Sequence, residues 1–196
     1  MDLLTAHRSA MRQFGNRVRA VREEQWAAPT PDPEWSVREL IDHLVTEQLW
    51  APGLLAGRTV EDITASADFA TAGGNLGENL SVSWASAADL ARRAVTGLES
   101  LDTTVHLSAG DMPAHSYIEQ MTLDLAVHSW DLSRAIGVDS ELPEDLLGFV
   151  LGLAQDAQPH WQGSSMFGPP VDVPADSDAL TSLLALTGRE RDWEAA

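Results

Sequence analysis

Three residues carry the types and spacing of a metal centre. Asp124 precedes His128 by four residues within a stretch of helical periodicity, so both side chains leave one helix face with Cβ atoms about 5–6 Å apart. A carboxylate and an imidazole placed this way can converge on one cation. His43 lies in a second helical stretch between the apolar positions Leu40 and Leu44, where its ring borders a helical interior. Helical bundles hold metals with carboxylates and imidazoles from facing helices. His43, Asp124 and His128 supply two nitrogens and one oxygen, and three protein ligands leave a position for water or substrate, as in catalytic zinc sites. Zinc is the first expectation; ferrous iron and nickel suit the same donors. The spacing equally serves a solvated ion pair, so a metal site and a plain bundle both stand on these residues alone.

Several neighbours bear on that choice. Glu47 follows His43 by one turn and Asp131 follows His128 by nearly one. Each can accept the outward N–H of a ligating imidazole or remain a solvated helix carboxylate, and Glu47 can also sit in the cavity as a general base. Tyr117 shares the Asp124 face. Trp50, Trp130 and Trp161 can line a pocket or fill the core.

Composition narrows the functions. Lys+Arg total 12 against 30 Asp+Glu over 196 residues, a formal charge of −18, which argues against binding nucleic acid or an anionic membrane surface. No apolar run approaches a spanning helix, and the start MDLLTAHRSAMRQF lacks a basic-then-apolar leader pattern. A cytoplasmic location is expected. Without cysteine there is no disulfide, thiolate ligand or cysteine nucleophile, and without lysine no Schiff base. No phosphate loop, dinucleotide fingerprint or nucleophile elbow is present.

The elements that must position these residues are helical. Apolar spacing predicts a first helix from Asp2 to near Trp26, ended by Pro29, Pro31 and Pro33. The Ser36-Val37-Arg38-Glu39 capping box starts a second helix that closes near Gly57. Gly73, Gly74 and Gly77 mark a loop before a third helix over about Val82–Leu101. The segment 102–114 reads as a connection. A second capping box, Ser116-Tyr117-Ile118-Glu119, starts a fourth helix that stops at Gly137, a left-handed cap. Shorter helices follow over about Pro143–Ala157 and Asp176–Thr187, with Val171 and Val173 a brief extended piece; no strand series supports a sheet. This predicts an all-α chain forming one domain over 1–196. Within it a four-helix bundle spans about 1–137, and a C-terminal helical extension about 138–196.

The blocks Trp35-Ser36-Val37-Arg38-Glu39-Leu40-Ile41-Asp42-His43-Leu44-Val45 and Asp124-Leu125-Ala126-Val127-His128-Ser129-Trp130-Asp131-Leu132, followed by Phe167-Gly168-Pro169-Pro170-Val171 and Leu183-Leu184-Ala185-Leu186-Thr187-Gly188-Arg189, carry a family resemblance over almost the whole chain. In this order they resemble the DinB-like metal-binding superfamily, in its actinobacterial branch related to the N-terminal domain of mycothiol-dependent maleylpyruvate isomerase. The resemblance implies a four-helix bundle with a divalent cation, commonly zinc or nickel, held at the positions of His43, Asp124 and His128. That isomerase has a glutamate at the position of Asp124, and a further C-terminal domain that this chain is expected to lack.

Relatives in the superfamily use the cation to bind a low-molecular-weight thiol and lower its pKa. The resemblance therefore implies a metal- and thiol-dependent enzyme, with mycothiol or a similar thiol and a small electrophile as partners, acting by S-transfer or isomerisation. Hydrolysis at the open site and a non-catalytic metal clamp in interaction or stress response are the alternatives. An acidic surface with Trp-rich segments is compatible with a homodimer.

Overall fold

The computed structural model describes residues 1–66, 69, 79–161 and 167–195, without the side chains of 159–161. The glycine loop expected at 73–77, and the rings of His160 and Trp161, lie outside the described residues. Helices α1 (Leu3–Ala20), α2 (Val37–Leu55), α4 (Leu80–Thr96) and α5 (Ala114–Ile136) form the bundle, and the short α3 (Val60–Thr64) follows α2. Helices α6 (Glu144–Trp161) and α7 (Ala179–Leu186) complete the chain.

Each long helix buries the stripe its sequence predicts. Ala6, Ala10, Phe14 and Val18 of α1 face inward with Leu40, Ile41 and Leu44 of α2, Trp84 and Ala91 of α4, and Ile118, Leu125 and Leu132 of α5. Burying a leucine or phenylalanine fully stabilises the fold by about 1.5–3 kcal/mol. Helix α1 lies chiefly against α5 and α2 chiefly against α4. The α2–α5 seam is the sparsest of the contacts that close the bundle, and the polar residues of interest lie along it.

The structure departs from the sequence reading at several ends. Helix α1 stops at Ala20; a 3-10 turn follows over Glu23–Gln25, where the Gln25 side chain donates to the Ile136 carbonyl at the end of α5 (2.9 Å). The expected connection at 102–114 contains a hairpin, β1 (Thr104–Leu107) paired antiparallel with β2 (Gly110–Pro113). β2 runs directly into α5, which therefore begins at Ala114 rather than at Ser116. The amides of Ala114 and His115 donate to the Thr103 and Leu101 carbonyls (both 2.8 Å). Backbone acceptors from the preceding segment thus satisfy the first helical donors, and the Ser116 box has no role. No strand forms at Val171–Val173.

The predicted cap of α2 is present: Glu39 N–H donates to Ser36 Oγ (3.4 Å) and Ser36 N–H to the Glu39 carboxylate (2.8 Å). Gly137 closes α5 with φ 70°. Leu180 and Leu184 of α7 pack on the fully buried Trp130 of α5 in a second apolar cluster, which fastens the C-terminal segment to the bundle. Among the described residues no helix is long and apolar enough to cross a membrane.

Candidate metal centre

His43 comes from α2, Asp124 and His128 from α5, and one ligand-capable atom from each lies within 4.8 Å of the others. His128 Nε2 stands 3.3 Å from Asp124 Oδ1, and His43 Nε2 stands 3.6 Å from Asp124 Oδ2. Asp124 Oδ2 is buried and, among the described residues, accepts no hydrogen bond. A carboxylate set between two imidazole nitrogens, one oxygen toward each and one of those oxygens without a donor, has the donor chemistry of a site for a divalent cation.

The cluster is closed on the α5 side and open on the α2 side. The His128 side chain is 3% exposed, whereas His43 is 30% and Glu47 27% exposed, so the approach to the cluster from solvent lies beside His43 and Glu47. Trp35 walls this approach; its ring centroid lies 4.4 Å from that of His43 and 5.4 Å from that of His128.

Behind His128 the polar groups continue inward. Its Nδ1 lies 2.9 Å from Asp131 Oδ2, and Asp131 is fully buried. A carboxylate only accepts, so Nδ1 carries the proton and Nε2 is left facing the cluster. Arg189 completes the chain of contacts, with Nη2 3.0 Å from Asp131 Oδ2 and 3.1 Å from Asp32 Oδ2.

Electrostatics follow from these contacts. Burial works against the charge on His128, yet the Asp124 charge and hydrogen bond, reinforced by Asp131, push the imidazole up to about 10. Burial would also raise Asp124, but the His128 charge outweighs it, and with help from His43 the carboxyl is held well below the ordinary range. Burial, and then the neighbouring Asp124 charge, push Glu47 well above the usual carboxylate range. Burial, then the charge of Glu47, raises the Tyr117 phenol.

The three residues singled out from spacing are thus brought together. Glu47 and Asp131 separate into different roles. Asp131 accepts the outward nitrogen of His128, while Glu47 Oε1 lies 3.6 Å from the same His43 nitrogen that faces Asp124. Glu47 therefore stands on the ligand side of His43, not behind its ring. Of the two readings of the tryptophans, Trp130 takes the core one, Trp50 stacks on Phe69 at 6.4 Å, and the indole over the imidazoles is Trp35. Sequence reasoning also missed Asp32 and Arg189, far from the site in the chain. The available signal for Arg189 was an arginine directly after Gly188, placed to turn inward from the end of α7.

Fold and site define a class: an α-helical bundle with two imidazoles and a carboxylate facing one another across a seam between helices. The model of the mycothiol maleylpyruvate isomerase N-terminal domain matches residues 7–133, and the chain belongs to that family. Two uncharacterized proteins of Mycobacterium tuberculosis, from strains CDC 1551 / Oshkosh and ATCC 25618 / H37Rv, are each 28% identical over 193 residues, covering 96% of this chain and 98% of theirs. The crystal structures of mycothiol-dependent maleylpyruvate isomerase and of a point mutant of it superpose with a TM-score of 0.63 at 16% identity, over 83% of this chain and 72% of that one. The fold is therefore the isomerase fold.

Proposed function

We propose that this protein holds a divalent cation, zinc before nickel or iron, at His43, Asp124 and His128, and that it activates a low-molecular-weight thiol such as mycothiol for S-transfer to a small electrophile or for its isomerisation. The convergence of three ligand atoms within 4.8 Å, in a chain of the mycothiol maleylpyruvate isomerase N-terminal family, carries this reading. A bound divalent cation supplies the positive charge that makes a coordinated thiol a thiolate at neutral pH. Everything else falls to the chain's own residues. With no cysteine in the sequence, the sulfur must come from outside, through the opening beside His43. Glu47, whose carboxyl lies 3.6 Å from His43 Nε2 on the ligand side of that ring, is placed to take the thiol proton. Trp35 gives the incoming molecule an apolar wall.

The sulfur then bonds the electrophilic carbon. In S-transfer the leaving group departs with the electron pair of its bond. In isomerisation the sulfur adds to one carbon of a conjugated double bond and the π pair moves onto the acceptor group. After rotation about the resulting single bond that pair returns, the carbon–sulfur bond breaks, and the thiolate leaves to recover its proton. Dependence on a reduced thiol supports a cytoplasmic setting for this activity.

Metal analysis of protein purified without a histidine tag tests the first half. Near-stoichiometric zinc, nickel or iron is expected, lost in His43→Ala and His128→Ala and kept in His7→Ala; a metal-free wild type overturns the reading. The second half is tested by mixing metal-loaded protein with mycothiol and a bimane-type electrophile. A rate no greater than that of metal-free protein reduces the site to a structural clamp.

A further inference from the structure

Arg189 is 4% exposed, and its polar contacts are all internal. Nε and Nη2 straddle the Asp131 carboxylate at 3.4 and 3.0 Å, Nη2 also reaches Asp32 Oδ2 at 3.1 Å, and Nη1 donates to the Thr187 carbonyl at 2.6 Å. The guanidinium thus joins the proline-rich loop before α2, the middle of α5 and the C-terminal segment. The backbone is shaped to deliver it. Gly188 ends α7 with φ 78°, and a Cβ there would lie 2.8 Å from the Gly168 backbone, so only glycine permits both the turn and the close approach. Phe167, beside Gly168, places its ring 5.6 Å from the guanidinium carbon. These residues lie outside the 7–133 segment that the family model matches.

A fully buried carboxylate without a counter-charge is strongly disfavoured and will protonate or turn away. Asp131 stays charged and aimed at His128 Nδ1 because Arg189 grips it with two parallel N–H groups, a geometry that fixes direction as well as charge. That hydrogen bond in turn fixes the imidazole tautomer that presents Nε2 to the cluster. We propose that Arg189 is a positioning residue of the metal centre, acting through Asp131 on His128, so that the C-terminal segment is a working part of the site rather than an accessory to the bundle. This rests on the metal-binding reading above.

The test is metal affinity, read by competition against a chromophoric chelator, alongside thermal melting of the metal-free proteins. Arg189→Met is expected to bind zinc about 10–100-fold more weakly. Arg17→Met is the control. Arg17 is also buried and ties α1 to Ser133 and to the Glu141 carbonyl (both 2.9 Å) without touching the site. It should lower the melting temperature while leaving zinc affinity within about twofold. If Arg189→Met strands Asp131 and fails to fold, the Asp131→Asn, Arg189→Met double variant leaves no buried charge unpaired, and the same 10–100-fold loss is expected from it. Where the single variants fold, their losses should not multiply in the double, because both break one linkage. Unchanged affinity in Arg189→Met, an equal loss in Arg17→Met, or multiplying losses overturn the inference while leaving the metal site standing. A wild type that holds no zinc overturns both.

Discussion

Two histidines occupy opposite electrostatic surroundings within one bundle. His7 of α1 and His128 of α5 are 1% and 2% exposed, so both have left water almost completely. Among the described residues His7 hydrogen-bonds to Thr122, at 3.3 Å from Nδ1, and its Nε2 has no hydrogen-bond partner. The Thr122 hydroxyl donates to the Ile118 carbonyl (2.6 Å), so its oxygen is left to accept from His7 and the imidazole stays neutral. Desolvation pulls His7 down to about 4. His128 stands between Asp124 and Asp131, and those two charges lift it to about 10 despite the same burial. Burial alone therefore does not decide the state of an imidazole; the carboxylates turned toward it do. That difference separates a packing histidine from one built into a polar centre.

The largest test of this contrast is pH. A histidine held neutral at about 4 in the fold, against an ordinary 6.5, lets the unfolded chain bind the extra proton between those values. Its penalty is absent above pH 6.5, grows as pH falls, and levels off below about 4, reaching roughly 3 kcal/mol. Denaturant unfolding of metal-free wild type and His7→Gln should therefore converge at low pH, the variant losing less on acidification. Parallel losses in the two proteins would show that His7 is not the neutral, desolvated partner. The contribution of His128 has the opposite sign: it is present below the ordinary value and lost as pH rises through about 10.

Gly188→Ala acts on the charged centre alone. A new methyl group 2.8 Å from the Gly168 backbone, at φ 78°, should cost about 1–3 kcal/mol and withdraw Arg189 from Asp131. A melting temperature and a zinc affinity that both fall would connect the tail to His128, and a variant that matches wild type in both would disconnect them. The smallest effect belongs to the neutral side. Thr122→Val removes the hydroxyl that partners His7 Nδ1 and should cost about 1 kcal/mol, with zinc binding untouched. A loss of metal in this variant would mean that the two histidines do not occupy separate environments.

The cluster of His43, Asp124 and His128 was legible because a four-residue spacing on α5 dictates that Asp124 and His128 share a face, and because apolar neighbours put His43 against the interior of α2. The long helices were legible for the same reason, their buried stripes following helical period. The hairpin at 104–113 was not. Its four-residue strands are too short for a clear alternation, and Gly110 and Pro113 read as breakers. The Ser116 box misplaced the start of α5 because the helix begins two residues earlier, where the N–H groups of Ala114 and His115 find backbone acceptors at residues 103 and 101, and Ser116 and Glu119 then lie inside the helix.

Local order along the chain determined which side chains each helix turns inward, since that depends only on the pitch of the helix and the placement of apolar residues. It also determined that any sulfur chemistry must use a foreign thiol, because there is no cysteine. Only the tertiary structure decided that Asp32, Asp131 and Arg189 meet, that Trp35 rather than Trp130 overlies the imidazoles, and that carboxylates face His128 while a hydroxyl faces His7. Those outcomes depend on distances between segments as far apart as 157 residues in sequence. Coulombic and hydrogen-bond energies are set by separation in space and by access to water, and no spacing along the chain encodes either.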